Sequence, residues 1–92
     1  MKYVVQYLAP DDLDMEAVRG QFPAHQAWWK EFAAAGTLVA IGPMADPRDG
    51  AMSVFTTREA AEAFVAGDPF VTEGLMASYR ILEWNEVLLD DR

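Results

Sequence analysis

The chain has 92 residues, with 15 acidic and 7 basic side chains, a formal charge of −8 at pH 7 and no cysteine. This length suits one domain, residues 1–92, and 52% hydrophobic with 24% charged residues is a globular composition. The few, scattered basic residues argue against nucleic acid and anionic membranes as partners. The lack of cysteine excludes disulfides, thiolate nucleophiles and cysteine metal sites. We expect no spanning helix and no signal peptide, and therefore a cytoplasmic location.

The first third of the chain predicts a strand followed by a helix. Lys2–Leu8 is rich in β-branched and aromatic residues and ends at a turn cluster. Residues 13–21 are ambiguous and allow a helical turn. Residues 22–35 form the predicted main helix, because Pro23 suits its first position, Gly36 suits its C-terminal cap, and apolar side chains recur at helical spacing.

The middle of the chain predicts a β-hairpin. Residues 37–41 are a short apolar strand that Gly42 and Pro43 close. The turn sequence Asp-Pro-Arg-Asp-Gly at 46–50 follows, and residues 51–56 return as a strand. Two strands joined by such a turn are typical of a hairpin.

The last third predicts a second helix and a final strand. Thr56 and Glu59 match a capping box, so residues 58–66 form a short helix. Residues 75–89 are rich in β-formers and predict a long strand with a bulge or bend, and residues 90–92 predict a frayed tail. The residues that should point inward from this second helix are Ala61, Phe64 and Val65.

The order of elements is β-α-β-β-α-β. Two crossovers of this kind predict a ferredoxin-like antiparallel sheet with both helices on one face, an α+β fold. The other face of the sheet is then left bare. In a chain of this size, a bare apolar face predicts pairing with a second copy, so we expect a homodimer.

His25 is the single histidine, in the first turn of the predicted main helix and among aromatic neighbours. Two interpretations are open. It is either a partly buried structural histidine that makes one hydrogen bond, or a general acid or base, because imidazole titrates near neutral pH. The chain has no HxH or HExxH spacing, and we predict no metal site.

Asp68 lies between Gly67 and Pro69, just after the second predicted helix. It is either a turn residue, since Asp-Pro commonly marks turns, or a partner that fixes the tautomer of His25. The periodicity of the sequence does not bring the two side chains together, so both interpretations stay open.

Four further residues are candidates for a substrate pocket. Gly42 and Pro43 form either a strand-ending turn or the floor of a pocket. Trp29 and Phe70 belong either to the core or to the border of a cavity beside His25, which would suit a small planar or aromatic ligand.

The sequence lacks the residues that nucleotide cofactors and acyl transfer require. The sequence contains no phosphate-binding glycine loop and no dinucleotide fingerprint, so we predict no nucleotide cofactor. Ser53 and Ser78 lie on predicted strands without an evident base beside them, which argues against acyl transfer and leaves them at most an assisting role.

Five short segments, taken in order, resemble the YciI-like family, also called the YCII-related domain. They are the opening KYVVQYL, the helix from Pro23-Ala24-His25 to Ala35-Gly36, Ile41-Gly42-Pro43, Gly67-Asp68-Pro69-Phe70, and Ile81-Leu82-Glu83-Trp84. The resemblance implies a ferredoxin-like fold of the dimeric α+β barrel type. It also implies a pocket with a His–Asp pair, in which the family's histidine matches His25 and its aspartate matches Asp68. Residues 13–22 depart from the family as a longer lead into the helix, and we expect them to reshape the rim of the pocket.

The leading hypothesis is a cofactor-free enzyme that transfers a proton on a small metabolite, as an isomerase or a lyase. His25 would move the proton, and Asp68 would orient His25. The alternatives are a non-catalytic module that binds a small ligand, and an accessory module whose role is dimerisation.

Overall fold

Four strands and three helices make up the computed structural model, which describes residues 1–87. The strands are β1 (Lys2–Leu8), β2 (Leu38–Pro43), β3 (Ala51–Phe55) and β4 (Ser78–Trp84). The helices are α1 (Met15–Ala34), α2 (Arg58–Gly67) and the short α3 (Pro69–Thr72), and a 3₁₀ turn covers Pro47–Asp49. No helix in this part of the chain combines the length and the apolar character needed to cross a bilayer.

The strands form one antiparallel sheet in the order β2-β3-β1-β4. The strand that opens the chain and the second strand of the hairpin are therefore the two central ones. Tyr7 on β1 lies opposite Ala51 on β3 and Tyr79 on β4. This topology confirms the predicted ferredoxin-like α+β fold, and the predicted hairpin is present as β2 and β3.

The main helix begins seven residues earlier than predicted, so placing Pro23 at its first position was wrong. The side chain of Asp14 caps α1 by accepting a hydrogen bond from the backbone N–H of Ala17 at 3.1 Å. Pro23 lies inside the helix. His25 is consequently near the middle of α1 and not in its first turn. The helix tolerates the proline because Val18, in the added turns, packs against the core.

Several other boundaries also differ from prediction. Gly42 and Pro43 belong to β2 and do not end it before residue 42. Thr57, not Thr56, caps α2, because its side chain accepts from the N–H of Ala60 at 3.1 Å. The final strand is shorter than predicted and covers only Ser78–Trp84, while residues 75–77 precede it as irregular chain with a bend. The predictions for residues 88 and 89 and for the tail 90–92 fall outside the described residues.

The core lies between the helices and the sheet face that carries Val5 and Tyr7. Ala61, Phe64 and Val65 of α2 are buried there, as predicted. The buried members of the cluster are Val5, Tyr7, Phe55, Ala61, Phe64, Val65 and Phe70.

The opposite sheet face is partly open. Leu82 and Trp84 on β4 are 36% and 48% exposed, and together with Val4, Gln6 and Met52 they line a shallow groove. This face therefore exposes apolar side chains to solvent.

Candidate active site

Asp68 sits at the junction of two helices. Its backbone N–H bonds to the carbonyl of Phe64 at 2.9 Å and closes α2, and its Oδ1 accepts from the N–H of Phe70 at 3.2 Å and caps α3. The carboxylate has 0% exposure. The interpretation of Asp68 as a turn residue therefore holds, and the same turn directs its side chain into the protein.

His25 and Asp68 lie together although 43 residues separate them in sequence. Nδ1 of His25 is 2.7 Å from Oδ1 of Asp68. The imidazole also stacks on the ring of Phe70, with centroids 3.9 Å apart and planes 9° apart. One hydrogen bond and one stacking contact thus fix the position and the plane of the imidazole, and they leave Nε2 as its free nitrogen.

Tyr7 is a third member of this network, and the sequence reasoning missed it. Its hydroxyl donates to Oδ2 of Asp68 at 2.5 Å. Burial raises the pKa of the Tyr7 phenol well above its usual range, and the hydrogen bond to Asp68 raises it further. Tyr7 is therefore a neutral donor at every ordinary pH. The alternation of Lys2–Leu8 could have placed Tyr7 on a buried face, but nothing in that pattern points to Asp68.

Asp68 accepts on both oxygens from three donors, namely Tyr7, His25 and the backbone N–H of Phe70. A buried carboxylate is stable only when such donors replace water. With Nδ1–H donated to Asp68, the neutral imidazole presents an unprotonated Nε2 that can take up a proton.

A glycine sets how closely the two long helices approach beside this network. A Cβ atom at Gly67 would lie 2.5 Å from the indole ring of Trp28. That ring is held in place because its Nε1–H donates to the carbonyl of Phe64 at 2.9 Å and because it packs edge-on against Phe32, with centroids 5.1 Å apart. Gly67 thus lets the end of α2, and Asp68 after it, lie against α1.

A cavity of about 350 Å³ borders His25. The four residues predicted for a substrate pocket, Trp29, Gly42, Pro43 and Phe70, all contribute to its wall. Asp68 is not part of the wall and lies behind His25, which separates it from the cavity.

The cavity wall is mostly apolar. Residue 13 and the first two turns of α1 form part of it through Leu13, Met15, Val18, Arg19 and Phe22. The side chains in the wall that carry polar groups are those of Tyr7, Arg19, His25, Trp29 and Ser53. Within residues 1–87, no three His, Cys, Asp or Glu side chains are grouped so that they could hold a metal ion.

Comparison with known proteins gave one family and a structural likeness. A family model described as the YCII-related domain matches residues 1–85. A similar solved structure is that of 5-chloro-2-hydroxyhydroquinone dehydrochlorinase (TftG) from Burkholderia phenoliruptrix AC1100 in complex with 2,5-dihydroxybenzoquinone. It superposes with a TM-score of 0.75 over 95% of this chain and 96% of that chain, at 20% sequence identity. No curated protein sequence matched the chain.

Proposed function

Because the chain belongs to the YCII-related domain family, we propose that it is a small-molecule enzyme that transfers a proton with its own side chains, as an isomerase or a lyase. His25 is the general base and acid, and Asp68 is the residue that orients it. The proposal depends above all on one observation: a fully buried carboxylate holds Nδ1 of His25 at 2.7 Å, while the same imidazole borders an apolar cavity.

The chemistry follows from the free nitrogen of His25. Nε2 removes a proton from a carbon beside a carbonyl or enol group, and the electron pair of that C–H bond moves into the substrate. Return of the proton at another atom completes an isomerisation, whereas departure of a leaving group with the electron pair completes an elimination. A general base of this kind contributes about 10²–10⁴-fold to the rate. The dehydrochlorinase with the similar structure is by its name an eliminating enzyme, which supports the lyase variant.

The alternative function is a non-catalytic module that binds a small ligand or serves dimerisation. The apolar wall of the cavity favours this alternative as much as it favours an enzyme, because burial of an apolar ligand needs no base. The buried network supports the enzyme, because a carboxylate that orients a histidine at a cavity is typical of general acid–base catalysis.

Deuterium exchange tests the proposal on a panel of candidate compounds. Small enolisable, phenolic and halogenated compounds are incubated with the protein in D₂O and followed by NMR. We expect at least one compound to incorporate deuterium or to lose its leaving group, and the rate to fall about 10²-fold or more in a folded His25→Ala variant. Thermal stabilisation by a compound that never exchanges would favour the binding module. Neither exchange nor stabilisation would favour the dimerisation module.

The proposal includes a cytoplasmic homodimer that pairs through the open sheet face. Its support is the apolar groove around Leu82 and Trp84. Leu82→Glu should lower the molar mass in light scattering from that of two chains to that of one. Tyr79→Glu is the matched control, because Tyr79 is similarly exposed on the same strand but alternates to the other face. An unchanged mass in Leu82→Glu would contradict pairing through this face.

A further inference from the structure

Methionine side chains form part of the cavity wall. Met15, Met52 and Met76 contribute to it from three different places, namely α1, β3 and the chain before β4. All three are half-buried. Peroxides oxidise the thioether of methionine, and the chain contains no thiol that would react first. The wall of the cavity therefore holds three side chains that a peroxide can oxidise.

The surroundings of these residues distinguish Met15 from the other two. Met76 packs against the buried core cluster, and close packing restricts the access of a peroxide to its sulfur. Met52 also lines the groove on the open sheet face, which pairs two copies in the proposed homodimer. Met15 is the first residue of α1, follows the exposed Asp14, and is not among the side chains of residues 1–87 that pack against the core cluster. Of the three thioethers in the wall, that of Met15 is therefore the most accessible.

The helical repeat places Met15 on the face of α1 that borders the cavity. Val18, Arg19 and Phe22 follow it at intervals of three, four and seven residues, and all of them line the wall. Arg19 is the charged donor among these neighbours, and side chains four residues apart on a helix lie within reach of each other. An oxygen atom added to the sulfur of Met15 would therefore have a guanidinium group beside it.

Oxidation of Met15 would make the cavity wall polar at this point. With hydrogen peroxide, a sulfur–oxygen bond forms, the O–O bond breaks, and the proton of the transferred oxygen leaves with the other oxygen as water. The sulfur is oxidised by two electrons and the peroxide is reduced. The resulting sulfoxide is a polar acceptor that binds water or the guanidinium of Arg19. An apolar ligand has to displace such partners from the wall, and it therefore binds more weakly.

We propose that Met15 is a modification site, at which a hydroperoxide oxidises the thioether to a sulfoxide and thereby lowers the affinity of the cavity for apolar ligands. Methionine sulfoxide reductases remove the oxygen again, so the change is reversible. The inference goes beyond the proposed function, because it concerns the wall of the cavity and not the proton transfer at His25. Its tests need no turnover, and failure of the deuterium exchange would leave it standing.

Peptide mapping by mass spectrometry measures the order in which the methionines react with hydrogen peroxide. We expect Met1 to react first, because it is 57% exposed and lies outside the cavity wall, Met15 to follow, and Met76 to react more slowly. The apolar probe p-xylene, added to saturation, should slow the oxidation of Met15 several-fold and leave that of Met1 unchanged. Oxidation of Met15 no faster than that of Met76, or no protection of Met15 because p-xylene fails to bind or to cover it, would overturn the inference.

Binding of p-xylene after oxidation measures the consequence for the cavity. The dissociation constant from NMR titration should rise about tenfold in peroxide-treated wild type and should fall back after treatment with methionine sulfoxide reductases. Met15→Leu conserves the volume of the side chain, so it should bind p-xylene within about twofold of wild type and keep that affinity in peroxide. Met44→Leu, at a half-buried position outside the cavity wall, is the matched control and should lose affinity as wild type does. An equal loss in both variants, or no loss in wild type, would overturn the inference.

Discussion

Replacement of Tyr7 by Phe removes a single oxygen atom from the centre of the buried network. That hydroxyl donates to Oδ2 of Asp68 at 2.5 Å, and the carboxylate has no contact with solvent. Water cannot replace the lost donor, although His25 and the N–H of Phe70 still serve Oδ1. Hydrogen bonds to charged groups contribute about 1.5–3 kcal/mol. We therefore expect Tyr7→Phe to lower the free energy of unfolding by about 2 kcal/mol at pH 7.

The same substitution changes the response to alkali, because burial, and then the bond to Asp68, raise the pKa of Tyr7 in the folded protein. In the unfolded chain the phenol loses its proton near pH 10. The contribution of Tyr7 is thus fully present below about pH 10 and is lost as the pH rises further, by about 1.4 kcal/mol at pH 11. Tyr7→Phe has no such proton to lose. The difference between the two proteins should narrow from about 2 kcal/mol at pH 7 to about 0.6 kcal/mol at pH 11.

Denaturant titrations followed by tryptophan fluorescence at both pH values measure this difference. Tyr79→Phe is the control, because Tyr79 lies opposite Tyr7 on β4 but is 46% exposed. It should change the free energy of unfolding by less than about 0.5 kcal/mol. If Tyr7→Phe were as stable as wild type at pH 7, or if the difference stayed constant up to pH 11, the hydroxyl would not be the buried donor described above.

Substitutions at three further sites, with Gly20 as a control site, test the local geometry. Gly67→Ala should destabilise the protein by about 1–3 kcal/mol, because the added methyl group meets the indole ring of Trp28 on α1. Gly20→Ala is the control: its methyl group meets open space, and the substitution should stabilise α1 by about 0.5–1 kcal/mol in the same denaturant titrations. Gly50→Ala should destabilise by about 3 kcal/mol or more, because its φ of +92° disfavours any side chain and the methyl group would overlap backbone atoms of β1. Asp68→Asn can keep the cap of α3 and should be about 1 kcal/mol more stable than Asp68→Ala. Denaturant titrations of the two Asp68 variants measure this difference, and equal stabilities would contradict the capping role of Asp68.

The fold was predictable because its signals are local. The Asp-Pro-Arg-Asp-Gly turn at 46–50 and the strands around it specify the hairpin, and the β-branched and aromatic residues of Lys2–Leu8 indicate a strand. The start of α1 was mispredicted because Pro23 is an equally good first residue of a helix. Asp14 carried the competing signal, a capping residue before an acidic first turn. The packing of Val18 against the core decides in favour of Asp14, and that contact is not visible in the sequence.

The site was predictable only in part, because its contacts span 43 and 61 residues of chain. Helical and strand periods tell which face a side chain occupies, but not how far a helix slides along the sheet beneath it. The resemblance to a family therefore had to supply the pairing of His25 with Asp68. Tyr7 had no such support, since an aromatic residue in a strand is most often core.

Residues 67–70, at the end of α2 and the start of α3, together hold the His25 imidazole in place. Gly67 allows α2 to lie against α1, and Asp68 supplies the acceptor for Nδ1. Pro69 begins α3 at a position where the missing N–H costs nothing, and the next residue, Phe70, stacks its ring flat against His25. The same carboxylate thus caps α3 and bonds to His25. A change in this segment therefore disturbs stability and the orientation of Nε2 together, whereas a change at Tyr7 disturbs the carboxylate without touching the turn.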